Sequence, residues 1–201
     1  MVAIVDYGAG NIFSVKNALD YMNVENILTD NAAELEKADE IILPGVGAFP
    51  WAMKKLEESG LVETIKEQAK LKPFLGICLG MQLLFEKSYE FEEYGGLGLI
   101  GGYVDKIDEP DLVIPHMGWN KLVKTNNCSL LDGLGDEEYV YFVHSYKAFC
   151  DEKSLCAYVD YGNPVTALVS DGGCCFGSQF HPEKSGKTGL KILENFVRLA
   201  R

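Results

Sequence analysis

The stretch KPFLGICLGMQLLF, residues 72–85, places one cysteine between glycines at the point where an apolar run changes its periodicity. The residues before the cysteine are apolar and of strand length, whereas Leu79, Leu83 and Leu84 after it fall at helical spacing. This pattern predicts a strand that passes directly into a helix, with Cys78 at the corner. Because open α/β folds bind ligands at the carboxyl ends of their parallel strands, the corner is a candidate functional position.

The glycines around this cysteine form the pattern G-x-C-x-G, made by Gly76, Cys78 and Gly80. It is the cysteine form of the nucleophile elbow, in which glycines let neighbouring chain approach a sharp turn. The partial positive charge of a helix N-terminus favours a thiolate there. The alternative is a small buried residue with glycines required for packing alone, and the motif by itself does not separate the two.

A thiolate nucleophile needs a base, and the chain has three histidines. In QFHPEKS, Glu183 follows His181 by two residues, so its carboxylate can accept the second N–H of the imidazole and stabilise the imidazolium. His116 and His144 have no carboxylate so near in sequence, and either can be a structural histidine. The combination of Cys78, His181 and Glu183 favours an enzyme with a cysteine nucleophile.

An oxyanion hole is the remaining requirement of such an enzyme. LPGVGAF, residues 43–49, follows another apolar strand, and its glycines permit backbone N–H groups to face one centre. The N–H of Leu79, next after the nucleophile, is the natural second donor. An ordinary turn is the alternative interpretation of residues 43–49.

The order of segments predicts an α/β fold. In the first half, short apolar runs alternate with helical segments, which implies right-handed crossovers and a central, mostly parallel sheet flanked by helices. From residue 95 onward the chain is β-branched and aromatic, so the second half adds strands before a final helix. With no linker or repeat in the sequence, residues 1–201 are predicted to form a single domain.

The composition limits the partners. Thirty acidic and 18 basic residues give a net charge of −12, which argues against nucleic acid or an anionic membrane as the main partner. Without a basic N-terminal region or an apolar run of roughly 18 residues, the chain is expected to stay in the cytoplasm with reduced thiols. The six cysteines show no C-x-x-C pair and no histidine spacing suited to zinc, so neither a metal nor a cofactor is predicted.

Five motifs, PGVGAF, GICLGMQLLF, IPHMGWN, FVHSY and FHPEKS, together resemble the class I (triad) glutamine amidotransferases. With DYGAGNIFSV, they are similar to the glutaminase subunits of imidazole glycerol phosphate synthases, and the motifs run in order from residue 6 to residue 185. The resemblance implies hydrolysis of L-glutamine to L-glutamate and ammonia. Cys78 would form a γ-glutamyl thioester, His181 would protonate the departing ammonia and then activate water, and Glu183 would orient His181.

The resemblance also implies roles for residues outside the triad. In the family, a peptide of the PGVG strand turns so that the Val46 N–H joins that of Leu79 in the oxyanion hole. Substrate contacts fall on Gly47, Gln82, Ser145 and Tyr146. The surface that faces a partner falls on Asn11, Trp119 and Lys184.

The partner implied is a (β/α)8 synthase subunit, which forms a heterodimer with the glutaminase. Ammonia would pass through its barrel to a phosphorylated ribulosyl aminoimidazole carboxamide, giving imidazole glycerol phosphate and an aminoimidazole carboxamide ribotide for histidine biosynthesis. A related subunit that serves another synthase, for example in surface-sugar biosynthesis, would keep the same triad. A free-standing cysteine hydrolase or peptidase shares the elbow but needs no partner, and the intact triad disfavours a catalytically dead binding module.

Overall fold

The first half of the chain alternates strands and helices, as the sequence predicts. The computed structural model describes residues 1–108 and 112–200. Gly60, with a φ of +73°, separates two helices in this half of the chain. The elements in chain order are β1 (Val2–Val5), α1 (Ile12–Tyr21), β2 (Asn26–Thr29), α2 (Ala32–Lys37), β3 (Glu40–Gly45), α3 (Phe49–Glu58), α4 (Val62–Gln68), β4 (Phe74–Cys78) and α5 (Leu79–Gln82).

The second half consists mainly of strands. The aromatic run YVYFVHSYKAF, residues 139–149, is interrupted at Ser145, so it forms two strands that belong to different sheets. The elements are β5 (Phe85–Ser88), β6 (Tyr94–Gly95), β7 (Ile100–Lys106), β8 (His116–Lys121), β9 (Val123–Lys124), β10 (Tyr139–His144), β11 (Tyr146–Phe149), β12 (Leu155–Tyr161), β13 (Asn163–Ser170), β14 (Cys175–Ser178) and α6 (Gly186–Arg198).

An eight-stranded mixed sheet forms the centre of the fold, in the order β2-β1-β3-β4-β14-β13-β12-β9. The pairings among β2, β1, β3, β4 and β14 are parallel. The pairings from β14 through β13 and β12 to β9 are antiparallel. The predicted α/β fold is confirmed, and the β-rich second half extends the parallel sheet with antiparallel strands.

Two smaller sheets lie beside the central one. β8 and β10 form an antiparallel ribbon, and β11, β7, β5 and β6 form a four-stranded sheet. β5 begins at Phe85, only three residues after α5 ends at Gln82. The helix predicted through Leu84 is therefore wrong in length: it is a single turn. The short apolar run Leu83, Leu84 and Phe85 does not by itself distinguish a helix from a buried strand, which explains the error.

The core lies on both faces of the central sheet. Val2 and Ile4 of β1 belong to one apolar cluster, and Ala3 and Val5 belong to the other. Successive side chains of a strand point to opposite faces, so each cluster covers one face. Strands buried on both sides are apolar throughout, as the first strands of this chain are. No helix within the described residues is long and apolar enough to cross a bilayer.

Candidate active site

The parallel register brings three strand ends to one edge of the sheet. Gly45, the last residue of β3, is aligned with Cys78 at the end of β4. On the other side of β4, Ser178 of β14 is aligned with Ile77. The residues that follow β3 and β14 are therefore next to Cys78, which explains how His181, 103 positions away in sequence, reaches the cysteine.

The elbow at Cys78 has the strained geometry of a nucleophile. Cys78 has a φ of +55°, a conformation that residues with a side chain rarely adopt. A Cβ at Gly80 would lie 1.8 Å from the carbonyl oxygen of Leu43, and one at Gly76 would lie 2.6 Å from the oxygen of Gly80. Both glycines are thus required by close backbone contact, as the sequence motif indicates.

His181 and Glu183 form a buried pair beside this elbow. Nδ1 of His181 lies 2.8 Å from Oε1 of Glu183, and both side chains are almost fully buried. Burial lowers the pKa of His181, but the Cys78 thiol and the Glu183 carboxylate outweigh it and raise the pKa to about 9. Nε2 of His181 has no hydrogen-bond partner of ordinary geometry among the described residues. The free Nε2 is available for proton transfer.

The other two histidines form a separate buried pair. Nδ1 of His116 lies 2.9 Å from Nε2 of His144, and Nδ1 of His144 donates to the carbonyl of Tyr146 at 2.8 Å. Burial lowers the pKa of His144 to about 3 and also lowers the pKa of His116. These histidines are therefore neutral and structural, and His181 is the histidine suited to act as the base.

A cavity of about 340 Å³ opens over Cys78. It is lined by the predicted oxyanion, substrate and partner residues except Trp119. A larger cavity of about 540 Å³ lies beside α6 but is lined by no cysteine or histidine. The lining of the cavity over Cys78 is Asn11, Val46, Gly47, Cys78, Leu79, Gln82, Glu90, Val143, His144, Ser145, Tyr146, His181 and Lys184.

Trp119 lies outside this cavity but is connected to the site through one strand. It is 54% exposed on β8 and is aligned with Tyr141 of β10, with ring centroids 5.9 Å apart. The carbonyl of Tyr141 accepts a hydrogen bond from the backbone N–H of His181 at 3.0 Å. Trp119 is therefore a surface residue two contacts away from the triad.

Two residues at the site were missed by sequence reasoning. Glu90 is buried at the cavity, where its carboxylate accepts the backbone N–H of Phe49 at 2.7 Å, and burial raises the pKa of this carboxyl. The side-chain nitrogen of Gln179 lies 3.8 Å from the sulfur of Cys78. Glu90 lies in the acidic run YEFEE, which is typical of exposed surface, and Gln179 carries no motif signal of its own.

The arrangement suits covalent catalysis by the protein's own groups. The Cys78 thiol, the His181 imidazole and the Glu183 carboxylate lie at one edge of the sheet. Residues of two glycine-rich turns line the same cavity. Within residues 1–108 and 112–200, no group of three or more histidine, cysteine or acidic side chains could hold a metal ion.

Comparison with known proteins agrees with this geometry. Residues 3–200 match the family model "Glutamine amidotransferase class-I". The chain is 52% identical to "Imidazole glycerol phosphate synthase subunit HisH" of Bacillus cereus (strain B4264) and 51% identical to the subunit of the same name from Bacillus cytotoxicus, each over 98% of this chain and 93% of the relative.

Solved structures show the same fold. A glutamine amidotransferase superposes with a TM-score of 0.77 at 21% identity, over 100% of this chain and 99% of that one. PurLQS from Thermotoga maritima superposes with a TM-score of 0.75 at 19% identity, over 100% and 98% of the two chains. The resemblance drawn from the motifs is confirmed. The chain belongs to the class I glutamine amidotransferase family.

Proposed function

We propose that this chain is the glutaminase subunit of an imidazole glycerol phosphate synthase, which hydrolyses L-glutamine to L-glutamate and ammonia. The observation that carries the proposal is the strained Cys78 elbow beside the buried pair of His181 and Glu183, under a cavity of about 340 Å³. The identity of about 52% to HisH subunits over nearly the whole chain supports the choice of synthase. Residues 1–201 would act as one amidotransferase domain.

The triad carries out two half-reactions. The Cys78 sulfur attacks the γ-carboxamide carbon, and the tetrahedral intermediate expels ammonia after Nε2 of His181 donates a proton to the nitrogen. Water, deprotonated by the same Nε2, then attacks the γ-glutamyl thioester and releases glutamate and the thiolate. Glu183 fixes the imidazole orientation through Nδ1 and stabilises its charged form.

The oxyanion of each tetrahedral intermediate would be held by the backbone N–H groups of Val46 and Leu79. Both residues line the cavity over Cys78, from the ends of the two neighbouring strands. Gly47, with a φ of +101°, permits the turn after Val46. Loss of one such donor costs about 3 to 4 kcal/mol of transition-state stabilisation, so the orientation of the Val46 peptide is able to control the rate.

The amino-acid end of glutamine would be held at the opposite side of the cavity. Ser145 and Tyr146 present backbone groups at the break between β10 and β11, and Gln82 reaches the carbonyl of Tyr146 at 3.1 Å. Glu90 supplies a buried carboxylate to pair with the substrate ammonium. This set recognises a free α-amino acid, which distinguishes the site from that of a peptidase.

The partner would be a (β/α)8 synthase subunit that takes up the ammonia as a heterodimer. Asn11 and Lys184 lie at the cavity, and Trp119 is exposed on the neighbouring ribbon. These three residues would form the contact surface, so that ammonia is released toward the partner.

We also propose a cytoplasmic location. All six cysteines are free thiols, which suits a reducing compartment. Cell fractionation with an antibody against the chain tests this, and recovery in an oxidising compartment would contradict it.

The experiment measures glutamate release by the chain alone, with the purified synthase subunit, and with the synthase plus a ligand of its acceptor site. We expect little glutamate release by the chain alone and a rise of about a hundredfold or more in the complex, because one oxyanion donor contributes a rate factor of about that size. Full activity of the chain alone would favour a free-standing hydrolase. Activation by the synthase of a different pathway, and not by the histidine-pathway synthase, would assign the chain to that pathway.

A further inference from the structure

The side-chain amide of Gln179 contacts the nucleophile itself. Gln179 is fully buried, one residue beyond β14, and its Nε2 lies 3.8 Å from the sulfur of Cys78. The register of β14 against β4, with Ser178 beside Ile77, carries it to this place. Nothing in the triad chemistry described above uses this contact.

The direction of the amide is fixed by its neighbours. Oε1 of Gln179 accepts a hydrogen bond from Nε2 of Gln82 at 3.0 Å, and the same Gln82 nitrogen donates to the carbonyl of Tyr146 at 3.1 Å. A carbonyl only accepts, so Gln82 must present its NH₂ group to Tyr146 and to Gln179. The oxygen of Gln179 is thereby engaged, and its NH₂ group must face the sulfur of Cys78.

The far end of this chain of hydrogen bonds is also held. His144 donates from Nδ1 to the same Tyr146 carbonyl at 2.8 Å, so two buried donors converge on one oxygen. His144 in turn contacts His116 on the ribbon. A hydrogen-bonded network that is complete at both ends restricts the side chains within it, including the amide beside Cys78.

We propose that Gln179 is a further catalytic residue, which stabilises negative charge on the Cys78 sulfur by donating a hydrogen bond from Nε2. The proposal rests on the proposed glutaminase function and adds a group to it. The sulfur is negative before it attacks, and again when the thioester is hydrolysed: water adds to the carbonyl carbon, the C–S bond breaks and its electron pair goes to sulfur. A donor directed at the sulfur favours both events.

The test measures alkylation of Cys78 by iodoacetamide in the absence of glutamine, followed by peptide mass mapping. Gln179→Met keeps the length of the side chain but removes the donor. We expect it to slow alkylation of Cys78 by roughly tenfold to a hundredfold, the value of a hydrogen bond to a charged group. Ser178→Ala is the matched control, because it removes a buried side-chain hydrogen bond next to Gln179, from Ser178 Oγ to the carbonyl of Phe180 at 3.1 Å, but leaves the amide and its orientation beside the sulfur. Its alkylation rate should stay within about threefold of that of the wild type by the same comparison.

An unchanged alkylation rate in folded Gln179→Met would overturn the proposal, and so would equal slowing in both variants, which would mean that loss of any buried hydrogen bond at the end of β14 slows the reaction. If Gln179→Met does not fold, Gln179→Leu removes the amide donor without adding a charge beside the sulfur. Slower alkylation is expected there too, and a wild-type rate would overturn the proposal. Because the assay contains neither glutamine nor a partner, its result is separate from the success or failure of the glutaminase assay.

Discussion

Two buried histidines in this chain have pKa values shifted in opposite directions. His181 and His144 both lie at the cavity and both are at least nine-tenths inaccessible to solvent. The pKa of His181 is raised to about 9, whereas that of His144 is lowered to about 3. Burial lowers the pKa of both, so burial does not explain the difference. The neighbours do.

The neighbours differ in charge. His181 faces the Glu183 carboxylate and the Cys78 thiol, and both favour the imidazolium. His144 faces the carbonyl of Tyr146 and a second imidazole, that of His116, and the latter lowers its pKa further. The Cys78 thiol and the Glu183 carboxylate together therefore make one of two similarly buried histidines a candidate proton carrier. His144 stays neutral and donates a hydrogen bond to the backbone carbonyl of Tyr146.

The largest expected effect follows from removing the nucleophile on the His181 side. Cys78→Ala should reduce glutamate release by the synthase complex to background, because Cys78 is the cysteine among the described residues that line the cavity with His181. Its folding should be retained, since alanine leaves the small buried position filled. Glutamate release is measured with circular dichroism as the control for folding. Turnover of more than about a hundredth of the wild-type rate would place the nucleophile elsewhere.

The next largest effect comes from making His181 resemble His144. Glu183→Gln keeps the hydrogen-bonding shape but removes the charge that stabilises the imidazolium. Replacing the carboxylate of a serine-protease triad costs about ten-thousandfold. Because a thiol loses its proton more readily than a hydroxyl, we expect kcat to fall by about tenfold to a thousandfold. Glu183→Asp, which restores charge but shortens the side chain, is the control, and unchanged kcat in Glu183→Gln would remove Glu183 from the triad.

The two histidines should change the free energy of unfolding in opposite pH directions. His181 has a folded pKa of about 9, above the unfolded value of about 6.5. Its contribution is therefore fully present below about pH 6.5 and is lost as the pH rises through 9, by about 3 kcal/mol. His144, with a folded pKa of about 3, destabilises the fold as the pH falls below about 6.5.

Denaturant unfolding of wild-type and Glu183→Gln chains from pH 5 to 10 measures this contrast. The loss of stability between pH 6.5 and 9 should be smaller in the variant, because the carboxylate that raises the pKa of His181 is gone. An identical loss of stability above pH 6.5 in the two proteins would show that His181 and Glu183 are not coupled in the folded state.

The smallest effect on turnover is expected for a change in the pair of His116 and His144. His144→Asn keeps a donor for the carbonyl of Tyr146 but leaves Nδ1 of His116 without its partner. The free energy of unfolding should fall by about 1 to 3 kcal/mol. In contrast, kcat should change by less than about tenfold, because the triad is untouched. A loss of kcat as large as that of Glu183→Gln would make His144 part of the proton path and end the contrast between the two pairs.

The sequence predicted the parts of the site that are local. The motif G-x-C-x-G predicts the elbow because close backbone contacts require glycine at positions 76 and 80. Both glycines lie two residues from Cys78, so the signal is local. The spacing of His181 and Glu183 gives their hydrogen bond for the same reason. The sequence of strands and helices gave the α/β fold, because period and turn residues are local signals too.

The rest of the site depends on strands that meet in three dimensions. Gln179 reaches Cys78 only because β14 lies beside β4, a pairing between segments about a hundred residues apart. Glu90 appears in sequence as one of several surface carboxylates, and its burial follows from the contact with the N–H of Phe49. The short α5 was missed because the apolar residues before Phe85 fit either a helix or a buried strand.

The central claim is that Cys78, and no other thiol, forms the covalent intermediate with glutamine. The most direct measurement treats the synthase complex with a glutamine analogue that carries an electrophilic carbon at the amide position, and maps the adduct by peptide mass spectrometry. We expect one adduct, on the peptide that contains Cys78, and we expect glutamate release to be lost in proportion to the amount of this adduct. Inactivation with Cys78 unmodified, or with the label on Cys128, Cys150, Cys156, Cys174 or Cys175, would contradict it.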